Sequence, residues 1–394
     1  MLASYWRAAL KIAAVPILAL NAVAQQPHLD VAKAPHLKVD LQTALQGGVD
    51  WLLANQAKDG TWGSHHSPRP IEVLCDVPGS HQSFRVATTS LCVMALEQSR
   101  VKTPEVKQAI SRGIDALLAQ HDVKRPSGLE HYTTWGLGYG LQAFGEHLKA
   151  HPDDPRKKQI HAACKTMVQR LKKHQCLDGG WGYLSLDEVP TFQPSFTSMS
   201  FTTATMLIGL SRAMEVGVEV PEEMVKRAVA SIARCETRAK AFTYGEIWRM
   251  NPLGSVNNIK GAACRGPGNM EAMALFGKEW SDGRWSHALH ALLVEHTRFQ
   301  IAGIRRPIPH ESHYGVSGYF YLFGHYYASL AMKRLPEAKR KRFEPELLKA
   351  VLLCREPDGS FWDYPLYSYH KPYGTAYAIM ALASLPSATE LPQP

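Results

Sequence analysis

SFTSMSFTTATMLIGL, residues 195–210, is small or apolar on every side of a helix and leaves no polar face for water. A helix of that kind is buried all round. Its last nine residues, TTATMLIGL ending at Leu210, belong to a pattern that recurs along the chain and always closes with a small residue followed by leucine. The other copies are TTSLCVMAL ending at Leu96, TTWGLGYGL at Leu141, PGNMEAMAL at Leu275, LFGHYYASL at Leu330 and GTAYAIMAL at Leu382. Repeat ends lie roughly 45 to 70 residues apart, room for a second helix and two connections in each unit.

The segments between the copies are amphipathic at helical spacing, as with Leu41, Leu45, Val49 and Leu52 in LQTALQGGVDWLLANQ. The others are VKQAISRGIDALLAQ, IHAACKTMVQRLKKH, EEMVKRAVASIARC, WSHALHALLVEHTRF and FEPELLKAVLLC. Each can lay one face on a buried helix and give the other to water. Six buried and six amphipathic helices satisfy every apolar face by closing into a double ring. An open solenoid would need polar caps, and the last buried helix, GTAYAIMALASL, has no such face. The expected fold is therefore all-α, an α/α toroid of six helical hairpins over residues 41–385. A linker over 25–40 precedes it and a disordered tail over 386–394 follows.

Arg7 and Lys11 stand before an apolar run from Ala13 to Ala24 that ends in Ala22-Val23-Ala24. This is the form of a signal peptide, cut before Gln25, and it predicts a secreted or periplasmic protein. Contact with a membrane is expected only through an uncleaved leader. The net charge of +9 loses Arg7 and Lys11 with the leader. Its densest run, Lys339 to Arg342, lies among glutamates and reads as a solvated helix start, so no nucleic-acid partner is expected. The 7 cysteines include no Cys-x-x-Cys pair, which argues against a zinc ribbon or a thioredoxin-like site and leaves disulfide pairing open.

Gly-aromatic turns end several amphipathic segments: Gln56 to Trp62, Gln175 to Trp181, and Asp358-Gly359-Ser360-Phe361-Trp362. Glycine takes the left-handed conformation that stops a helix. The first two turns resemble the Q-x-x-x-G-x-W repeat of triterpene cyclases, and DGSFWDYP followed by GTAYAIMAL resembles the closing segment of protein prenyltransferase β-subunits. The chain is thus similar, over nearly its whole mature length, to the terpenoid cyclase and protein prenyltransferase superfamily of α/α toroids.

That resemblance implies two activities, and the residues of neither are complete. Class II cyclases protonate an alkene with the middle aspartate of D-x-D-D-T-A, and here Thr203 and Ala204 match while the acidic positions hold Met199, Phe201 and Thr202. The same register in the other repeats gives Ala87, Tyr132, Gly266, Tyr321 and Tyr373. Prenyltransferases hold zinc with D-x-C and Y-H-T-x-Y elements. Thr375 and Tyr377 match, but Gly374 stands in place of the histidine, with His370 one turn away, and Phe320 and Leu322 in place of D-x-C. No cofactor and no metal are assigned.

The remaining candidates cluster at the starts of the buried helices. Glu130 and His131 are the best catalytic candidates, and Arg85, Tyr132, Cys264, Glu271, His325, Tyr326, His370 and Tyr373 are candidate cavity residues. His310 and His313 offer two ligand nitrogens without a third, while His287 and His290 share the face of an amphipathic helix. The Asn- and Gly-containing stretch 244–271 breaks the repeat, and Arg249, Asn257, Asn258 and Arg265 within it are candidate ligand contacts. The leading expectation is an exported toroid that binds or acts on a hydrophobic ligand in its cavity, isoprenoid-like by resemblance. A non-catalytic scaffold is the second. A polysaccharide-active lyase or hydrolase, which needs two carboxylates such as Glu130 and Glu271 in one cavity, is the third.

Overall fold

The computed structural model describes residues 37–66, 68, 78–123, 132, 134–183, 198–246, 256–306 and 315–386. The leader, Cys75, Glu130, His131, Arg249 and the histidines at 310 and 313 lie outside them. In chain order the described helices are α1 (Leu41–Ala54), α2 (Pro78–Gln98), α3 (Pro104–Gln120), α4 (Thr134–Ala150) and α5 (Lys157–His174). Next come α6 (Ser200–Glu215), α7 (Glu222–Arg234), α8 (Ile259–Ala262), α9 (Gly266–Ala274) and α10 (Asp282–His290). The last are α11 (Thr297–Gly303), α12 (Tyr321–Lys333), α13 (Glu337–Arg340), α14 (Glu344–Leu352) and α15 (His370–Ala383). No described helix is long and apolar enough to cross a membrane.

The six repeat copies fall on α2, α4, α6, α9, α12 and α15. These pack in that order, and α15 returns to α2, so the inner ring is closed. Its helices are buried nearly all round, every residue of α6 from Ser200 to Ser211 included. Small residues let them approach: a Cβ at Gly209 would lie 2.6 Å from the Gly138 carbonyl oxygen, which draws α6 close against α4. Outside this ring α3 packs on α2, α5 on α4, α7 on α6, α10 on α9 and α12, and α14 on α12 and α15. The remaining outer helix, α1, packs on α15, so the sixth hairpin is assembled from the two ends of the chain.

The Gly-aromatic turns fasten one outer helix to the next. Gln56 Nε2 donates to the Gly60 carbonyl (2.9 Å) across its own turn and to the Ala109 carbonyl (2.9 Å) of α3. Gln175 repeats this with Gly179 (2.6 Å) and with Met224 (2.8 Å) of α7. The Trp62 and Trp181 indoles fold back onto the Leu52 and Leu171 carbonyls, each at 2.8 Å. The recurrent threonine of the inner helices is the socket for these turns, since the backbone N–H groups of Trp62, Trp181 and Phe361 donate to the hydroxyls of Thr89, Thr203 and Thr375. Gly60, Gly179 and Gly359 have φ of +85°, +97° and +87°, open only to glycine at low cost. A Cβ at Gly359 would lie 2.7 Å from the Gly47 carbonyl oxygen, so this last turn seats on α1 at the closing seam.

A fourth turn of the same kind spans Glu236 to Phe242 without the sequence signature. The Thr237 N–H donates to the Ala241 carbonyl at 2.8 Å, as that of Ala57 does to the Thr61 carbonyl at 2.9 Å. Lys240 occupies the glycine position with φ of +62°. Glu236 replaces the glutamine and accepts from Arg284 of α10 at 3.1 Å, and that guanidinium also reaches the Lys240 carbonyl at 2.9 Å.

Candidate functional site

The inner ring encloses a chamber of about 240 Å³. Its wall comes from residues one helical turn apart on the axial faces: Ala87 and Leu91 of α2, Trp135 and Tyr139 of α4, Phe201 of α6, Phe323 of α12, and Tyr373 and Tyr377 of α15. Phe84 and Thr88 complete the α2 side, and Tyr132, Tyr183, Tyr244, Tyr319, Phe320, Tyr364 and Leu366 close the end at the helix N-termini. No lining residue comes from α9; Tyr244, from the connection before it, stands on that side. The rings pack on one another, Phe201 edge-on to Phe320 at 4.7 Å and Tyr132 tilted on Tyr183 at 4.8 Å.

The tyrosine hydroxyls are largely spent on each other, which leaves ring surface facing the chamber. Tyr244 bridges Tyr183 and Tyr319, the latter at 3.0 Å, and Tyr139 bonds Tyr377. Tyr132 has a φ of +61°, a conformation that is an outlier for a bulky side chain. Its ring is held between Tyr183 and Phe84, the latter at 5.7 Å.

Asp363 brings a carboxyl to this aromatic wall. It is fully buried; the Leu322 N–H in the first turn of α12 donates to Oδ2 at 2.8 Å, and the Tyr373 hydroxyl donates to Oδ1 at 2.8 Å. Burial pushes its pKa up from 3.8 to about 7, against the lowering effect of these two bonds. Among the described residues no Asp or Glu lines the chamber itself, and Asp363 reaches it through Tyr373.

The sequence candidates are distributed around this chamber rather than gathered in it. Tyr132 and Tyr373 stand in its wall, and Glu130 and His131 lie outside the described residues. Arg85 is half-buried on the side of Asp59, whose pKa its charge helps to lower. Cys264 is buried with its thiol 3.2 Å from the Gln300 side-chain oxygen, and burial raises its pKa well above the usual thiol value. Glu271 is held by Arg334 at 2.7 and 3.0 Å, near the C-terminal end of α12, so it is not part of a carboxylate pair in the chamber.

His325 turns toward the outer ring. It lies on Tyr321 with ring centroids 4.2 Å apart, and the Tyr321 hydroxyl bonds the Ala350 carbonyl of α14. Burial drops the His325 pKa to about 4 and keeps the imidazole neutral. His370 is edge-on to Trp362, with Nδ1 2.5 Å from the Tyr367 carbonyl. Tyr326 packs under Tyr377 at 5.7 Å, toward the half-buried pair of Glu146 and Arg212 at the other end of the ring.

The stretch 244–271 contributes through Tyr244. Asn257 accepts the Tyr244 N–H at 2.9 Å, and Asn258 caps α8 by accepting from Gly261. Arg265, fully buried, donates to the Phe242 and Val256 carbonyls at 3.1 and 2.6 Å and lies over the Tyr244 and Phe320 rings at 5.5 and 5.2 Å. It fixes the wall instead of facing a ligand. The six described cysteines are buried, His287 and His290 are exposed on α10, and the basic run forms surface ion pairs such as Lys339 with Asp282.

Residues 14–243 match the squalene-hopene cyclase C-terminal domain family. No curated protein matches the chain. Among solved structures it is similar to the unsaturated glucuronyl hydrolase of Bacillus sp. GL1, at 12% identity over 87% of this chain and 96% of that one, with a TM-score of 0.56. It is also similar to the type II terpene cyclase MstE of Scytonema, at 15% identity over 87% and 97% with a TM-score of 0.50. A possible GH105 family member of Klebsiella pneumoniae gives 11% over 87% and 92%, again at 0.50. At such identities the likeness is one of fold.

Proposed function

Because the chain belongs to the squalene-hopene cyclase C-terminal domain family, we propose that its aromatic chamber binds a small hydrophobic, isoprenoid-like ligand with one polar end. The carrying observation is the wall itself: rings from α2, α4, α6, α12 and α15 around a space with, among the described residues, one buried acid behind one tyrosine. Burying roughly 200 Å² of apolar ligand surface there contributes about 5 kcal/mol before the costs of association. The Tyr373 hydroxyl, whose proton is held by Asp363, supplies an acceptor for an alcohol hydroxyl. The chamber lies just below the roughly 300–1,000 Å³ of ordinary ligand sites, which suits a short chain. Export through the leader ending at Ala24 is part of the same proposal.

Two observations favour binding over the chemistry of relatives. Alkene protonation needs a strong acid, whereas Asp363, with a pKa near 7, is a weak one. Glycan hydrolysis needs two carboxylates about 5 to 10 Å apart, and the described residues bring one to the wall.

The test is titration of the purified mature protein with farnesol, with a saturated hydrocarbon of equal length and with an unsaturated uronic disaccharide. Intrinsic fluorescence of Trp135 is the readout, assigned by comparison with Trp135→Phe. Both apolar probes are expected to bind, and Tyr373→Phe is expected to weaken the alcohol about fivefold to tenfold, one hydrogen bond's worth, while leaving the hydrocarbon unchanged. Binding of the disaccharide alone, or of no probe, refutes the proposal.

A further inference from the structure

A second cluster lies at the opposite end of the ring, where the C-terminal ends of α2 and α4 meet. Glu97 of α2, His147 of α4 and His151, just beyond α4, each offer one ligand atom, and these atoms lie within 4.8 Å of one another. His147 Nδ1 is 2.7 Å from Glu97 Oε1, and His151 Nε2 is 3.2 Å from Glu97 Oε2. The two imidazoles stand side by side with centroids 4.8 Å apart, fixed by the bond from the His151 N–H to the His147 carbonyl at 2.8 Å. We infer that Glu97, His147 and His151 form a binding site for one divalent transition-metal ion of the zinc class, independent of the chamber.

The other nitrogen of His147 is what separates this cluster from an ordinary surface ion pair. His147 Nε2 lies 2.9 Å from Asp154 Oδ2, so an N–H donated there leaves Nδ1 to ligate an ion bound between it and Glu97. A ligating histidine characteristically gives its second N–H to a carboxylate in this way, which fixes the ring and raises its basicity. Asp154 is itself locked: Arg156 donates to it through its backbone N–H (2.7 Å), Nε (3.0 Å) and Nη2 (2.7 Å). Arg156 is anchored in turn on the Ser111 carbonyl (3.0 Å) and Asp115 (2.8 Å) of α3.

Charge and size both fit. The Glu97 carboxylate is nine-tenths buried, and among the described residues its ion-pair partners are the two histidines. With both imidazoles neutral as ligands, a divalent cation supplies the balance. Tetrahedral ligation at about 2.0–2.2 Å per bond sets ligand atoms about 3.3 Å apart, so the cluster opens by roughly half an ångström at the His147–Glu97 contact, while the His151–Glu97 contact of 3.2 Å already matches. Two imidazoles and one carboxylate select zinc, cobalt or nickel over calcium or magnesium. The fourth position is left to water.

The rival is a purely structural bridge, with His147 a cation between Glu97 and Asp154. The full mature chain, stripped with a chelator, is titrated with Zn²⁺ by calorimetry and with Co²⁺ by visible absorption. One zinc per chain and the visible bands of four-coordinate cobalt are expected. His151→Ala, at a half-exposed position whose loss leaves the fold intact, is expected to weaken zinc at least about tenfold, and Asp154→Asn about 10- to 100-fold. The double variant His287→Ala/His290→Ala is expected to bind as the parent does. Zinc binding unchanged in His151→Ala, a cobalt spectrum like that of the hexaaqua ion, or no uptake would each overturn the inference and leave the bridge.

Discussion

Replacing Asp363 by asparagine changes how stability depends on pH more than it changes stability at any one pH. The carboxyl titrates near 3.8 when the chain is unfolded and near 7 when buried in the folded ring. The folded form therefore holds a proton that the unfolded form has lost between those values, and stability falls as pH rises through that window. A difference of that size is worth about 4 kcal/mol. The effect is absent below about pH 4, grows up to about pH 7 and is flat above it. Asparagine keeps an oxygen for the Leu322 N–H and cannot ionise, so the variant lacks this slope. Urea unfolding of both proteins from pH 4.5 to 8.5 isolates the contribution, because every other titrating group cancels in the difference. The variant is expected to gain several kcal/mol relative to the parent across that range. A difference independent of pH would mean that Asp363 is ionised in the folded protein at all these values, and the reading of it as a buried, weak acid would be wrong.

The turns give two further outcomes. Gln175→Ala leaves the Gly179 and Met224 carbonyls without their buried donor, which is expected to cost about 2–4 kcal/mol in chemical unfolding; a loss below about 0.5 kcal/mol would show that the glutamine does not tie the helices. Lys240→Gly removes a non-glycine residue from φ of +62° and is expected to stabilise by up to about 1 kcal/mol, seen as a higher melting temperature, whereas destabilisation would count against placing Glu236–Phe242 among the Gly-aromatic turns.

The ring was legible in the sequence because burial on all sides is written into composition. TTATMLIGL and LFGHYYASL have no face for water, so each had to be interior, and the amphipathic segments between them had to cover it. Which outer helix covers which inner one was less accessible. Chain order alone suggests that α1 pairs with α2, yet α1 closes on α15, because the turn after α14 carries Gly359 against Gly47 just as the turn after α1 carries Gly60 against α3. The fourth turn carries no signature in the sequence because Lys240 and Glu236 replace the glycine and glutamine that mark the others. Arg284 supplies from the partner helix the hydrogen bonds that Gln56 and Gln175 donate from the turn.

The chamber was harder to read for the same reason that the ring was easy. A helix apolar on every side gives no sign of which side faces the axis. Tyr321 and His325 are one turn apart, as are Tyr373 and Tyr377, yet the first pair turns to α14 and the second to the chamber. Polar residues on inner helices were therefore poor guides, and His325 and Glu271 found partners away from the axis. The informative signal lay in the turns. Two residues beyond the aromatic of each turn stand Ser64, Tyr183, Tyr244 and Asp363. Tyr183 lines the chamber and Asp363 sits directly behind its wall. That position follows the turn's socket threonine contact and is delivered to the N-terminal mouth of the inner ring, where helix N–H groups such as that of Leu322 can hold a carboxylate. The other turns place uncharged residues at this position, so a carboxylate there bears a desolvation cost that they avoid, and behind Tyr373 it sets an acid against the aromatic wall.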